Sequence, residues 1–369
     1  MNLFKRPATG QELKAIDSLK QRGFSSPVIN VLNNFIARAA ERELYQANPR
    51  HWAEQIGLDE RTMLALIVAG VQEGLFELAW QTVCPICKLY NRTSTSLGGI
   101  IQMHYCEKCN HDFEAYLDEE IILTVSVTEA LRRLSPTKRL DPVFRDWVDV
   151  HYGQVPALAL ILLPAFQELS DQQTLPEGQS LGVKRLTVFF SSLRGSTALY
   201  HKHSDVLAYR WVSEHSKILF DAAARHNGTV VKTIGDGVMG VFPDPANALR
   251  AVADALAGLA RLNTQAGLTG DDALTLKVGL HAGPCLVVTL NERLDYFGET
   301  VNVAARLSEL AQGNDVVISQ AILNDAVRGA LAKTLGELQP LAAKLPGLPE
   351  DFEFHRLIPA AATEESLHS

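Results

Sequence analysis

The sequence predicts an α+β fold for its C-terminal half, on three observations. From Arg185 onward apolar runs of strand length alternate with segments whose apolar residues recur at helical spacing. The first 80 residues carry only the helical pattern, followed by one short alternating run. Between the two regions lie four cysteines in two tight pairs, Cys84-Cys87 and Cys106-Cys109. At 369 residues the chain is too long for one ordinary core, and two or three domains are expected.

The elements follow in order. Gln11–Arg22 and Val28–Arg42 read as helices around the turn-like Gly23–Pro27. A third helix runs over Trp52–Gly57, and Asp59 caps a fourth that passes through Met63, Ile67 and Val71 to Gly74. Leu75–Trp80 alternates as a strand. Helices followed by a strand are compatible with a winged-helix-like region over 1–82. The cysteine pairs are separated by eighteen residues that include the Gly98-Gly99 turn and the strand-like Ile100–Tyr105. In a reducing compartment two such knuckles read as a closed, structural zinc ribbon (83–118) with Cys84, Cys87, Cys106 and Cys109 as ligands. A redox CxxC pair is the competing reading.

Residues 119–182 read as a connector. Its apolar run, Val155–Phe166, is too short to span a bilayer and holds two prolines, so a buried helix or packed connector is expected. The stretch 168–182, rich in Gln, Ser, Gly and Pro, reads as a linker.

In the C-terminal half, Leu186–Phe190 is strand-like. Leu207, Trp211, His215, Ile218 and Ala222 mark a helix ending at Asn227-Gly228. Thr229–Phe242 reads as a hairpin around Gly235-Asp236-Gly237. Leu249, Val252, Leu256 and Leu259 mark a second helix, Leu274–Leu290 is strand-rich, Val301–Leu310 is helical and Val316–Ile318 is a strand. Residues 359–369 read as a frayed tail. Cys285 reads as a small buried hydrophobe, and His215 and His281 as structural, neither having a partner at ligand spacing.

A net charge of -8 and a near-balanced residue 1–60 segment without a basic stripe argue against a nucleic-acid partner. With no signal-like or membrane-length segment, a cytoplasmic location and no membrane partner are expected.

Three segments in fixed order carry a resemblance: Val188–Thr197, Lys232–Gly237 and Asp295–Arg306, with Gly279–Gly283 between the last two. Over roughly residues 185–325 the chain resembles class III adenylate/guanylate cyclases, whose catalytic domain has a ferredoxin-like core; the domain is expected over 183–358. The resemblance implies attack of a ribose 3′-hydroxyl on the α-phosphate of ATP, giving cyclic AMP and pyrophosphate, with Mg2+ or Mn2+ as catalytic ions. It implies that Asp236 is a metal carboxylate, that the Leu193 carbonyl is a further ligand, and that amides of Arg194, Gly195, Ser196 and Thr197 line the triphosphate. Lys232 and Asp295 would read adenine, Asn302 would orient the ribose and Arg306 would meet the phosphate. Taken alone, Asp236 is equally a turn aspartate, Lys232 a solvated strand charge, Asp295 a loop acid and Arg306 a surface helix residue; their coincidence at family positions favours the site.

The departure is Ser192, which stands where the family places a second metal aspartate. Serine is neutral and a weak ligand. Three outcomes follow: a slow cyclase, a non-catalytic nucleotide-binding regulator or scaffold, or a chain that works in a heterodimer with a related cyclase chain. The family's sites lie at a dimer interface, so a homodimer is the simplest partner arrangement. The N-terminal half also resembles the region that precedes some bacterial cyclase domains, which implies a regulatory role, with an unidentified regulatory partner, by position.

Overall fold

The computed structural model describes residues 18–194, 202–341 and 352–359. The chain divides into two compact units, one of Met1–Gly182 with Val287–Leu294 and one of Val183–Leu286 with Asp295–Ser369.

In the first unit, residues 18–21 are helical; the rest of the helix expected from Gln11 lies outside the described residues. Helix α1 is Ser26–Arg38, shorter than the Val28–Arg42 expectation. The apolar spacing continues past Arg38, but Ala39 is extended at φ -57°, ψ 148°. Arg132 Nη1 donates to the carbonyls of Ile36 and Ala39 at 2.6 and 2.8 Å, satisfying the C-terminal acceptors that another helical turn would have used. Helices α2 (Pro49–Ile56) and α3 (Glu60–Gln72) start where Asn48 and Asp59 accept from the amides of Arg50 and Thr62. Gly57 closes α2 in the left-handed conformation.

Strand β1 (Phe76–Val83) lies between β2 (Tyr90–Ser94) and β5 (Ile121–Val127) in a three-stranded antiparallel sheet. All seven β5 residues are buried. Strands β3 (Met103–Cys106) and β4 (His111–Glu114) form a separate hairpin. Helix α4 is Pro142–Tyr152 and α5 is Ala157–Ile161; α5 lies in the apolar run, which is buried as expected. Composition marks 168–182 as a linker, yet part of it is packed. Gln173 is buried, its Oε1 accepting from the Trp80 indole at 2.9 Å and from the Leu97 amide at 3.2 Å. Leu175 is buried too. A polar side chain with its partners met is stable inside, and composition alone does not show the partners.

The second unit is α+β. Strands β6 (Leu181–Arg194), β7 (Thr229–Ile234), β8 (Gly237–Phe242), β9 (Thr275–Leu290), β10 (Arg293–Phe297), β11 (Asp315–Ser319), β12 (Gly336–Leu341) and β13 (Phe354–Pro359) form one sheet. Its order is β12-β13-β11-β9-β6-β8-β7, with β10 on β9, and β11 runs parallel to β9. Helices α6 (Asp205–Arg225) and α7 (Pro245–Ala266) pack with the sheet around Phe189, Phe242, Leu256 and Leu280. The α7 stripe Leu249, Val252, Leu256 and Leu259 is buried as expected. On α6 the buried line is Ala208, His215, Leu219 and Ala222, one step round from Leu207, which is 43% exposed. Helix α8 is Glu299–Leu310, followed by α9 (Gln320–Leu323) and α10 (Ala326–Leu335).

Gly279 sets the seat of α8. A Cβ there would stand 2.2 Å from the Ser308 amide nitrogen and 2.4 Å from the Ala304 carbonyl oxygen, both helix backbone. Gly279→Ala is therefore expected to destabilise the unit by about 1–3 kcal/mol through overpacking. An unchanged urea midpoint would show that α8 is not held this closely.

Candidate functional site

The hairpin β7–β8 presents Asp236 at its tip, between Gly235 at φ +63° and Gly237. Strand β6 pairs with β8 up to Ser191 opposite Val238. A Cβ on Gly237 would stand 2.6 Å from the Ser191 carbonyl oxygen, so only glycine lets the hairpin approach β6 this closely. In that arrangement the Leu193 amide donates to Asp236 Oδ2 at 3.1 Å. The expected metal carboxylate and the residue expected to offer its carbonyl are thus neighbours. Ser192 is half-buried beside them. The Arg194 side chain turns to the Gln312 carbonyl at 3.0 Å. Gly195, Ser196 and Thr197 lie outside the described residues.

On β7, four residues before Asp236, Lys232 Nζ donates to Asp295 Oδ2 at 2.5 Å. The carboxylate is the more buried partner, with side-chain exposures of 11% for Asp295 and 38% for Lys232. The second carboxylate oxygen accepts from the Tyr296 amide at 2.8 Å, so Asp295 is held from two directions. Asn302 and Arg306 stand on α8 four residues apart, hence on one face, Asn302 exposed and Arg306 half-buried. Thr300, which sequence reasoning missed, is buried and donates its hydroxyl to the Pro284 carbonyl at 2.5 Å, tying the first turn of α8 to β9. Its place inside the Asp295–Arg306 motif is the signal that could have found it.

His215 and His281 are both held down to about 4 by burial and are neutral near pH 7. His281 Nδ1 and the Ser319 hydroxyl are 2.7 Å apart. Cys285 is buried, as expected for a small hydrophobe.

For a hard divalent ion the chain offers the Asp236 carboxylate and the neighbouring Leu193 carbonyl, which suit one such ion. Among the described residues, the cysteine set is the one group of three or more Cys, His, Asp or Glu side chains close enough to share a metal. Its four ligand atoms lie within 4.8 Å of one another. Cys84 and Cys109 Sγ are 3.9 Å apart, and Cys87 and Cys106 Sγ are 3.7 Å apart. A tetrahedral site with Zn–S of about 2.3 Å requires sulfur separations of about 3.8 Å, so the donor set fits zinc. Each knuckle is a hairpin turn of the same form. Lys88 and Asn110 follow the second cysteine with φ of 57° and 55°, and their amides donate to the carbonyls of Cys84 and Cys106. Burial pushes the Cys84 thiol up, but the amides of Cys87 and Ile86 with the Cys106 and Cys87 thiols outweigh it and hold it at about 6, while the Cys87 thiol and burial push Cys109 up to about 12.

Residues 179–331 match the family described as the adenylate and guanylate cyclase catalytic domain. Residues 11–148 match a family of unknown function, DUF5939. An adenylate cyclase of Anabaena cylindrica is 26% identical over 154 residues, 38% of this chain and 31% of that protein. Adenylate cyclase 1 of Rhizobium meliloti (strain 1021) is 27% identical over 195 residues, 49% of this chain and 28% of that protein. The chain thus spans about a third or less of the length of these relatives. The crystal structure of the adenylyl cyclase CyaB from P. aeruginosa is 21% identical, with a TM-score of 0.41, covering 50% of this chain and 97% of that one. Residues 179–331 are a class III adenylate/guanylate cyclase catalytic domain.

Proposed function

We propose that the second unit forms cyclic AMP and pyrophosphate from ATP as a dimer, either with a second copy or with a related cyclase chain. The observation that carries this reading is the Lys232–Asp295 pair. A lysine donates to adenine N1 while a carboxylate accepts from the N6 amine, whereas guanine offers the reverse pattern at those positions. Asn302 orients the ribose and Arg306 meets the phosphates, where a fixed cation offsets developing negative charge. Asp236 and the Leu193 carbonyl hold Mg2+ or Mn2+. When bound, the ion lowers the pKa of the attacking 3′-hydroxyl and neutralises the triphosphate. With Ser192 in place of a second carboxylate, turnover by the homodimer is slow. Ile234 and Phe297, each two residues from a site carboxylate, are 54% and 45% exposed and offer apolar surface for a partner to cover. In the first unit the cysteine set holds a structural zinc ion.

The test is nucleotide choice by the full chain with Mn2+. ATP is expected to be used at least about tenfold better than GTP, and Asp295→Asn to erode that preference, because a site built to bond a polar group rejects the analogue that cannot return the bond. Equal use of both nucleotides, or a preference unaffected by Asp295→Asn, would remove the base-reading role. No cyclic nucleotide from the wild type or from Ser192→Asp would end the homodimeric reading and leave a heterodimer with a related cyclase chain or a nucleotide-binding regulator.

A further inference from the structure

The first unit contains a cavity of about 420 Å³ walled by the segments around Tyr45, Tyr90 and Phe144. Its volume lies in the ~300–1,000 Å³ range of small-molecule sites. Three guanidinium groups line it, each over an aromatic ring: Arg42 over Phe144 at 4.7 Å, Arg139 over Tyr45 at 4.2 Å and Arg145 over Tyr90 at 3.7 Å. The rings fix the planes of the forks. Tyr90 is fixed in turn, its hydroxyl donating to Asp149 and accepting from Gln154.

The three arginines differ in what answers their charge. Arg42 meets Asp141 at 2.8 Å. Arg145 Nη1 meets only a neutral amide, Gln46 Oε1, at 3.1 Å. Arg145 Nε and Nη2 and Arg139 Nε are buried and have no acceptor among the described residues. The acids that line the cavity do not supply one. Glu43 accepts from the Ala40 amide and faces His51, and Asp141 is taken by the Phe144 amide and Arg42. Asp146, the third, is exposed. Buried guanidinium donors without acceptors leave the charge of these two groups poorly answered, and an anion in the cavity beside them offsets it. One stretch of the wall is apolar: Leu140 and Val143 are 59% and 81% exposed beside Phe144 and Leu89.

We propose that this cavity binds a small amphipathic oxyanion, its carboxylate or phosphate head held by Arg139 and Arg145 and its apolar body lying along Leu140, Val143 and Phe144. The site belongs to the first unit and does not depend on the cyclase reading of the second.

The experiment is calorimetric titration of the full chain with octanoate, octyl phosphate, 1-octanol and inorganic phosphate. One or both octyl anions are expected to bind saturably at one per chain, at least about tenfold tighter than octanol or inorganic phosphate, as bonds to a charged group imply. Their order separates a carboxylate ligand from a phosphate one. Arg145→Met, checked for unchanged circular dichroism, is expected to weaken the anions about tenfold or more, with Arg145→Lys between the two. Octanol binding as tightly as the anions would overturn the role of the arginines, and inorganic phosphate binding as tightly would overturn that of the apolar wall. Failure of both octyl anions to bind, or folded Arg145→Met binding them unchanged, would overturn the proposal. If Arg145→Met does not fold, the ranking of the four probes on the wild type still decides.

Discussion

Asp236→Ala is expected to abolish cyclic AMP formation by the full chain with ATP and Mn2+, and Ser192→Asp to raise it. Both effects rest on the same two strands. Asp236 is the acid that the hairpin tip brings to the end of β6, where it accepts from the Leu193 amide. Loss of even an outer partner of a metal ligand typically costs about 10–100-fold, so removing the ligand itself should cost more than about 100-fold. Ser192 adjoins Leu193 and is half-buried, so a carboxylate there is not sealed from solvent. A gain of about 10–100-fold is expected from supplying it. Activity is to be measured alongside the thermal midpoint, since Asp236→Ala also leaves the Leu193 amide without its acceptor. Undiminished turnover in Asp236→Ala would end the metal role of that residue. A silent Ser192→Asp, with the fold intact, would end the homodimeric cyclase reading.

Cys84→Ser is expected to unfold much of the first unit and to release one zinc ion per chain. The knuckles lie in the turns that join β1 to β2 and β3 to β4, so a shared ion would tie the three-stranded sheet to the β3–β4 hairpin. Structural zinc binding is worth about 10–16 kcal/mol in small domains at neutral pH, far above the ~1 kcal/mol of an ordinary surface contact. The 3.7 and 3.9 Å sulfur contacts run between knuckles, not within either CxxC, and exceed the ~2.05 Å of a disulfide. They suit a shared ion rather than a redox pair. Metal analysis of the purified chain and thermal unfolding with and without a chelator make the test. A chain free of zinc whose unfolding ignores both chelator and Cys84→Ser would refute the zinc site.

What the sequence determined by itself was local. Period and punctuation were enough for the α7 stripe, the Asp59 cap, the β7–β8 hairpin and the two cysteine knuckles, because each depends on residues within a few positions of one another. Even there, α1 stops at Arg38 although the apolar spacing continues, because Arg132, distant in sequence, takes its last carbonyls. The buried line of α6 likewise lies one step from Leu207, since helical spacing does not say which side meets a sheet. Site residues were recognisable as motif members, but not as neighbours. Lys232 and Asp295 are 63 positions apart, and β8, β6 and β9 separate their strands in the sheet order, so only the tertiary fold brings them into an ion pair. The same is true of Tyr90 and Arg145, whose stacked contact no periodicity announces. Backbone pattern is written in adjacent residues, whereas the pairing of charges is decided by strand register and long-range packing. Tertiary structure alone supplied those.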